Sequence, residues 1–277
     1  MLPAGGRMDS GEVPEAGHGA RDGAIRAARK PVLIILHQEH STPGHVGHLL
    51  QARGHRLDVR RPRYGDPLPD TLAGHAGTVI LGGPMSANDT DDYVQREIGL
   101  VALALREEAP FLGICLGAQM MALCLGAKVA PDPSGHVEIG YHAITPQPAA
   151  TIGGAWPSLC YQWHSEGFGL PSGAEALALA PGPFPNQALR YGPAAFGLQF
   201  HPEITYAMAA RWSGRNEHRL GLPGATPRNQ QLADHVSHGP NVRRWLARFL
   251  EEWLFLDPNA EKTPQESRIC KSATLQV

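Results

Sequence analysis

Two short stretches of the chain carry residues that could do covalent chemistry together. In FLGICLGAQMMA, residues 111–122, Cys115 follows an apolar run, stands between Gly113 and Gly117, and precedes an apolar helical pattern. A strand that turns sharply into a helix lifts one side chain above the sheet edge, and small neighbours permit so tight a turn. The first N–H groups of such a helix lack an intrahelical acceptor. Aimed at a sulfur, they favour thiolate over thiol; aimed at an oxygen, they can receive an oxyanion. A thiolate nucleophile ordinarily works with an imidazole. Among fourteen histidines, His201 in GLQFHPEIT stands just past an apolar strand and two residues before Glu203. A carboxylate at that spacing can fold back on the ring, fix its tautomer and stabilise the imidazolium. Cys124, mid-helix among Ala and Leu, reads as core.

The elements that must position these groups follow from the hydrophobic pattern. PVLIIL (31–36) and GTVILGG (77–83) are short apolar runs bounded by polar or glycine-rich sequence, which predicts buried strands. RLDVR (56–60) alternates as a strand does. Helices are predicted over 44–52 and 92–108, the latter from Val94, Ile98, Val101 and Leu105 at helical spacing. APFLGIC is a further strand, and LGAQMMALCLG a helix closed by Gly126. This alternation predicts an α/β fold: a doubly wound, mostly parallel sheet with helices on both faces. Residues 128–199 are rich in Pro and Gly and contain short alternating pieces such as HVEIGYHAIT and NQALRYG. They predict a small antiparallel β insertion in or beside the main sheet. Two helices, about 204–220 and 230–256, complete the pattern. Ligands of such sheets bind at the carboxyl ends of the strands, where Cys115 and the Gly82–Gly83 pair both fall.

Composition narrows the function classes. The chain has 277 residues and a net charge of −2, without the basic footprint of a nucleic-acid binder. No run approaches the roughly 20 apolar residues of a membrane span. Cys115, Cys124, Cys160 and Cys270 form no CxxC pair, which fits a reducing cytoplasm. Residues 1–29 and 258–277 read as flexible tails around one domain spanning 30–257. His136 with His142 and His235 with His238 lack the carboxylate or cysteine set that would complete a metal site. GGPMS lacks the lysine and helix pattern of a phosphate loop. Neither a metal nor another cofactor is expected.

GICLGAQ together with QFHPE resembles the triad-type (class I) glutamine amidotransferases. The resemblance runs continuously from VILGGPMSANDTDDYVQREIG through GAKV. It continues in family order with EIGYHAIT, YQWHSEGFGLP and GLQFHPEIT, and covers roughly residues 31–253. It is nearest to stand-alone members similar to the glutaminase domain of GMP synthetase. The resemblance implies a flavodoxin-like amidotransferase fold. It implies that Cys115 attacks the side-chain amide of glutamine and forms a γ-glutamyl thioester. His201 would protonate the leaving ammonia and then activate water, with Glu203 orienting its ring. The N–H groups of Gly83 and Leu116 would form the oxyanion hole, worth about 3–4 kcal/mol per donor. Gly82, Gln119, His164, Ser165 and Glu166 would line the substrate.

Ser165-Glu166 departs from the Gly-Asp of many family members, and this longer carboxylate leaves the donor open. It is L-glutamine or another γ-glutamyl compound. Three functions are therefore weighed. The first is a glutaminase that passes ammonia to a separate synthetase subunit. The second is a hydrolase of γ-glutamyl peptides or amines. The third is a catalytically silent regulatory module, against which the intact Cys-His-Glu set argues. His37 and His40 follow the first strand and read as polar loop residues. Trp163 suits the pocket wall and the core equally.

Overall fold

The computed structural model describes residues 30–256. The predicted tails, 1–29 and 258–277, lie outside the described residues, as does Cys270. In chain order the elements are β1 (Val32–Ile35), α1 (Gly44–Ala52), β2 (Leu57–Arg60), β3 (Gly77–Ile80), α2 (Asp92–Arg106), β4 (Phe111–Ile114) and α3 (Leu116–Cys124). A β-rich section follows: β5 (Val129–Pro131), β6 (Glu138–Ala143), β7 (Thr145–Pro146), β8 (Leu159–His164), β9 (Glu166–Phe168), β10 (Glu175–Leu179), β11 (Asn186–Tyr191) and β12 (Ala195–Leu198). Helices α4 (Tyr206–Arg215) and α5 (Arg228–Phe255) close the chain, with a 3₁₀ turn at Glu217–Gly221 between them.

Eight strands form the main sheet in the order β2-β1-β3-β4-β12-β11-β10-β7. The half from β2 to β12 is parallel, and β11, β10 and β7 extend it antiparallel. The apolar run at β1 has a direct cause. Its side chains alternate between two cores, with Val32 and Ile34 in one and Leu33 and Ile35 in the other. The first core packs under α1 and α5 through Val46, Leu50, Trp245 and Phe249. The second packs under α2 and α3 through Val94, Val101 and Met120. A strand buried on both faces has no polar side to show in its sequence. Two short antiparallel pairs, β5 with β9 and β6 with β8, stand beside the main sheet. Tyr141 and Tyr161 seat the β6–β8 ribbon against Met208 and Ala209 of α4.

Glycines allow α3 to rest directly on the sheet. A Cβ on Gly117 would collide with the Ile80 carbonyl, and one on Gly113 with the Gly117 backbone. Backbone cannot swing aside as a side chain can. Gly117→Ala is therefore expected to cost about 3 kcal/mol, read as a lower urea midpoint. Gly99 of α2 faces open space, so Gly99→Ala should add about 0.5–1 kcal/mol from helix propensity alone. Equal responses from the two variants would contradict the close approach.

Candidate active site

Strands β4 and β12 are neighbours in register, with Ile114 opposite Leu198. The chain leaves both at the same sheet edge, which brings Cys115 and His201 together despite their distance in sequence. The Cys115 N–H donates to the Leu198 carbonyl at 2.7 Å, tying the turn to β12. The His201 N–H donates to the Tyr161 carbonyl of β8 at 2.8 Å. Cys115 itself sits at φ +50° and ψ −101°. A non-glycine residue held there stores strain, and here it aims the thiol off the end of the sheet. Leu116 is the first residue of α3, so its N–H has no acceptor within the helix.

His201 and Glu203 are almost wholly buried, and Nδ1 of the ring lies 2.8 Å from Glu203 Oε1. The ring and the Cys115 side chain both come up against Gly82. Burial by itself would strip the proton from the imidazole. The negative charges of Glu203 and Cys115, with the Glu203 hydrogen bond, overcome it and raise the His201 pKa to about 10. The Trp212 ring meets His201 edge to face, 5.0 Å between centroids. The His45 N–H at the start of α1 donates to the Glu203 carbonyl at 2.7 Å and fixes that residue's backbone.

Gly82 and Gly83 form the opposite lip. A Cβ on Gly82 would lie 2.7 Å from His201 Cε1 and 3.5 Å from Cys115 Cβ, so only glycine allows the three to meet. Behind this lip His37 is buried, its Nδ1 donating to the Gly82 carbonyl at 3.1 Å and its Nε2 2.7 Å from Glu97 Oε2. His37 is thus a buttress of the glycine lip, whereas the sequence suggested a polar loop residue. The exposed His40 does line the cleft.

Cys115, His201, Glu203, Gly82, Gly83 and Trp212 open onto one cleft of about 410 Å³. Gln119, His164, Ser165 and Glu166 line it too, as does Trp163. Their partners differ. Gln119 Nε2 donates to the Glu166 carbonyl at 2.8 Å and clamps α3 to β9. The Glu166 carboxylate accepts from the Ser86 hydroxyl at 3.1 Å. His164 Nε2 lies 2.9 Å from the buried Glu138 carboxylate, so this ring is held from within the protein. Burial lowers the His164 pKa, while Glu138 pulls it the other way. Ser165 is exposed at the cleft rim.

Several lining residues escaped the sequence reading. Trp212 and the arginines Arg211, Arg215 and Arg219 stand on α4 and the 3₁₀ turn after it. The four-residue spacing of the arginines beyond His-Pro-Glu was the available signal. His235, weighed as a metal ligand, instead lies 3.0 Å from the Tyr141 hydroxyl through Nδ1. Among the described residues no group of three or more His, Cys, Asp or Glu is arranged to hold a metal ion. No described helix is long and apolar enough to cross a membrane.

Comparison with known proteins agrees with this arrangement. Residues 41–210 match the family model for class-I glutamine amidotransferases. The chain is 28% identical over 245 residues to a putative glutamine amidotransferase-like protein, YfeJ, of Salmonella typhimurium, covering 82% of this chain and 95% of that protein. It is 33% identical over 201 residues to the GMP synthase of Aeropyrum pernix, covering 70% of this chain but 37% of that enzyme. Among solved structures, a glutamine amidotransferase from Methylobacillus flagellatus superposes with a TM-score of 0.76 at 28% identity, covering 82% of this chain and 95% of that one. One from Thermotoga maritima gives 0.74 at 28% identity, covering 81% and 98%.

Proposed function

The chain belongs to the class-I glutamine amidotransferase family, and on that premise we propose that it hydrolyses the glutamine side-chain amide through a γ-glutamyl thioester on Cys115. The observation that carries this reading is the buried chain of contacts from Glu203 through His201 to Cys115 at the floor of one cleft. The thiolate attacks the amide carbon. The N–H groups of Leu116 and Gly83 receive the negative charge that develops on oxygen. His201, protonated at rest, gives its proton to the departing nitrogen as the C–N bond breaks. The neutral ring then takes a proton from water, which attacks the thioester, breaks the C–S bond and releases glutamate. Glu203 holds the ring in the tautomer and orientation that both steps need. Glu166, steadied by Ser86, faces the substrate ammonium.

The catalytic unit comprises residues 30–257 and acts in the cytoplasm, where free thiols such as Cys115, Cys124 and Cys160 persist. Ammonia passes to an acceptor on a separate synthetase. In the Aeropyrum GMP synthase the matched segment is little more than a third of the enzyme. The test is release of ammonia and glutamate from L-glutamine by purified protein, with Cys115→Ser as control and cell extract as a source of partner. Cysteine-dependent release, stimulated by extract, is the expected result. Turnover of a γ-glutamyl dipeptide with none of glutamine would move the assignment to a γ-glutamyl hydrolase.

Glu203→Gln keeps the hydrogen-bonding shape but removes the charge. Its loss of rate should be smaller than that of Cys115→Ala by about one to two orders of magnitude, since an orienting group matters less than the nucleophile. Because Glu203 raises the His201 pKa, the alkaline limb of the pH–rate profile should also move to lower pH. An unmoved limb would contradict the coupling.

A further inference from the structure

One wall of the cleft is cationic and makes no ion pair among the described residues. Arg211 and Arg215 are four residues apart on α4 and share a face, and Arg219 follows on the 3₁₀ turn; all three line the cleft with Cys115. Arginine ion pairs among the described residues are made by Arg53, Arg60, Arg96 and Arg190, and by none of these three. Arg219 is half-buried, its guanidinium 5.7 Å from the centre of the Trp163 ring. Burial lowers its pKa and the charge of Cys115 pushes it back up, which puts this cation within electrostatic reach of the nucleophile. A half-buried guanidinium beside a reaction centre is a ready site for an anion.

Glu166 lines the same cleft, its carboxylate bound to Ser86 and its carbonyl to Gln119 of α3, while the arginines stand on α4 and the turn after it. Of the other lining carboxylates, Glu203 is taken up by His201 and Glu39 is exposed on the loop after β1. The α-ammonium and α-carboxylate of a glutamyl group share one carbon. Once Glu166 takes the ammonium, both lie at that end of the cleft, and the arginine wall is left for whatever is attached across the scissile amide. Arg211 and Arg215 are about 6 Å apart along the helix, and Arg219 lies beyond its end, so the wall offers more than one carboxylate requires. A volume of about 410 Å³ falls in the range that encloses drug-sized ligands, and free glutamine would leave much of it empty.

We propose that Arg211, Arg215 and Arg219 select γ-glutamyl compounds whose departing amine carries a carboxylate, as in γ-glutamyl amino acids. The inference rests on the thioester reading above and changes only the leaving group. The amide C–N bond breaks, His201 protonates the amine, and an amino acid leaves in place of ammonia. Water then cleaves the C–S bond of the Cys115 thioester and glutamate departs.

The experiment measures kcat/KM for glutamate release from γ-glutamylglycine, γ-glutamylethylamide and L-glutamine, with the full chain and its Cys115→Ser control. γ-Glutamylglycine should exceed the neutral ethylamide by roughly ten- to hundredfold, the worth of one charge-assisted hydrogen-bonded pair. Arg219→Met keeps the apolar stem over Trp163 and removes the charge; it should reduce that ratio several-fold. Arg215→Gln, at an exposed position where misfolding is not at stake, should reduce it too, and the double variant should bring it near one. A ratio near one in the wild-type protein overturns the proposal, as does an equal loss on both γ-glutamyl substrates in the variants. If Cys115-dependent release from L-glutamine persists in either case, the thioester reading stands and this inference alone falls. Absence of Cys115-dependent release from all three substrates overturns both.

Discussion

Replacing Cys115 by alanine is expected to lower kcat for glutamate release by a factor on the order of 10⁴ to 10⁶, with the fold intact. The size of the effect follows from what the thiol does. In the proposed mechanism it forms the covalent intermediate, and the other described thiols are unsuited to that role. Cys160 is fully buried, with its pKa raised well above the usual thiol value by burial, and Cys124 is pushed up for the same reason. The residual rate would come from binding and from the oxyanion donors alone. The side chain is small and buried at the turn, so the alanine variant should unfold at nearly the wild-type urea midpoint. Full activity in Cys115→Ala would remove the nucleophile from the account, whatever the fold.

The second large effect is at His201. His201→Asn should cost roughly 10²–10⁴-fold, the range for a positioned general acid and base. The wild-type pH profile is the sharper readout. An ordinary histidine loses its proton near pH 6.5. Here the raised pKa keeps the ring protonated until the pH passes about 10. The imidazolium is the form that donates to the departing nitrogen, so activity should hold through neutral pH and fall on the alkaline side as that proton is lost. A kcat/KM curve with its alkaline limb near pH 10 is expected. An alkaline limb near 6.5 would mean that Glu203 and Cys115 do not hold the proton on the ring.

The parts of this site that could be read from sequence are those built by local rules. The β1 run is apolar because both faces of the strand are buried, and Gly113 and Gly117 are glycines because α3 touches the sheet at backbone distance. The two-residue step from His201 to Glu203 contains its own hydrogen bond. The 44–52 helix is observed with those bounds. The predicted 204–220 helix instead ends at Arg215 and gives way to the 3₁₀ turn, and that break lets Arg219 turn towards Trp163. What stayed hidden depends on pairs far apart in the chain. Nothing near His37 announces that Glu97 lies beneath it. Nothing near His164 announces Glu138, a partner supplied only when β6 and β8 pair. The cationic wall was hidden differently: its arginines are visible in the sequence, but their lack of counter-ions becomes evident only once the fold has brought the surrounding carboxylates to other partners.

The central claim is a γ-glutamyl thioester on Cys115, and mass spectrometry of acid-quenched protein tests it most directly. Wild-type protein mixed with L-glutamine or γ-glutamylglycine and quenched during turnover should carry one γ-glutamyl group on the peptide that contains Cys115. The group should be absent from Cys115→Ala, and it should form more slowly in His201→Asn, where the departing nitrogen loses its proton donor. Steady release of glutamate with an unmodified Cys115 peptide, undiminished in Cys115→Ala, would contradict the account.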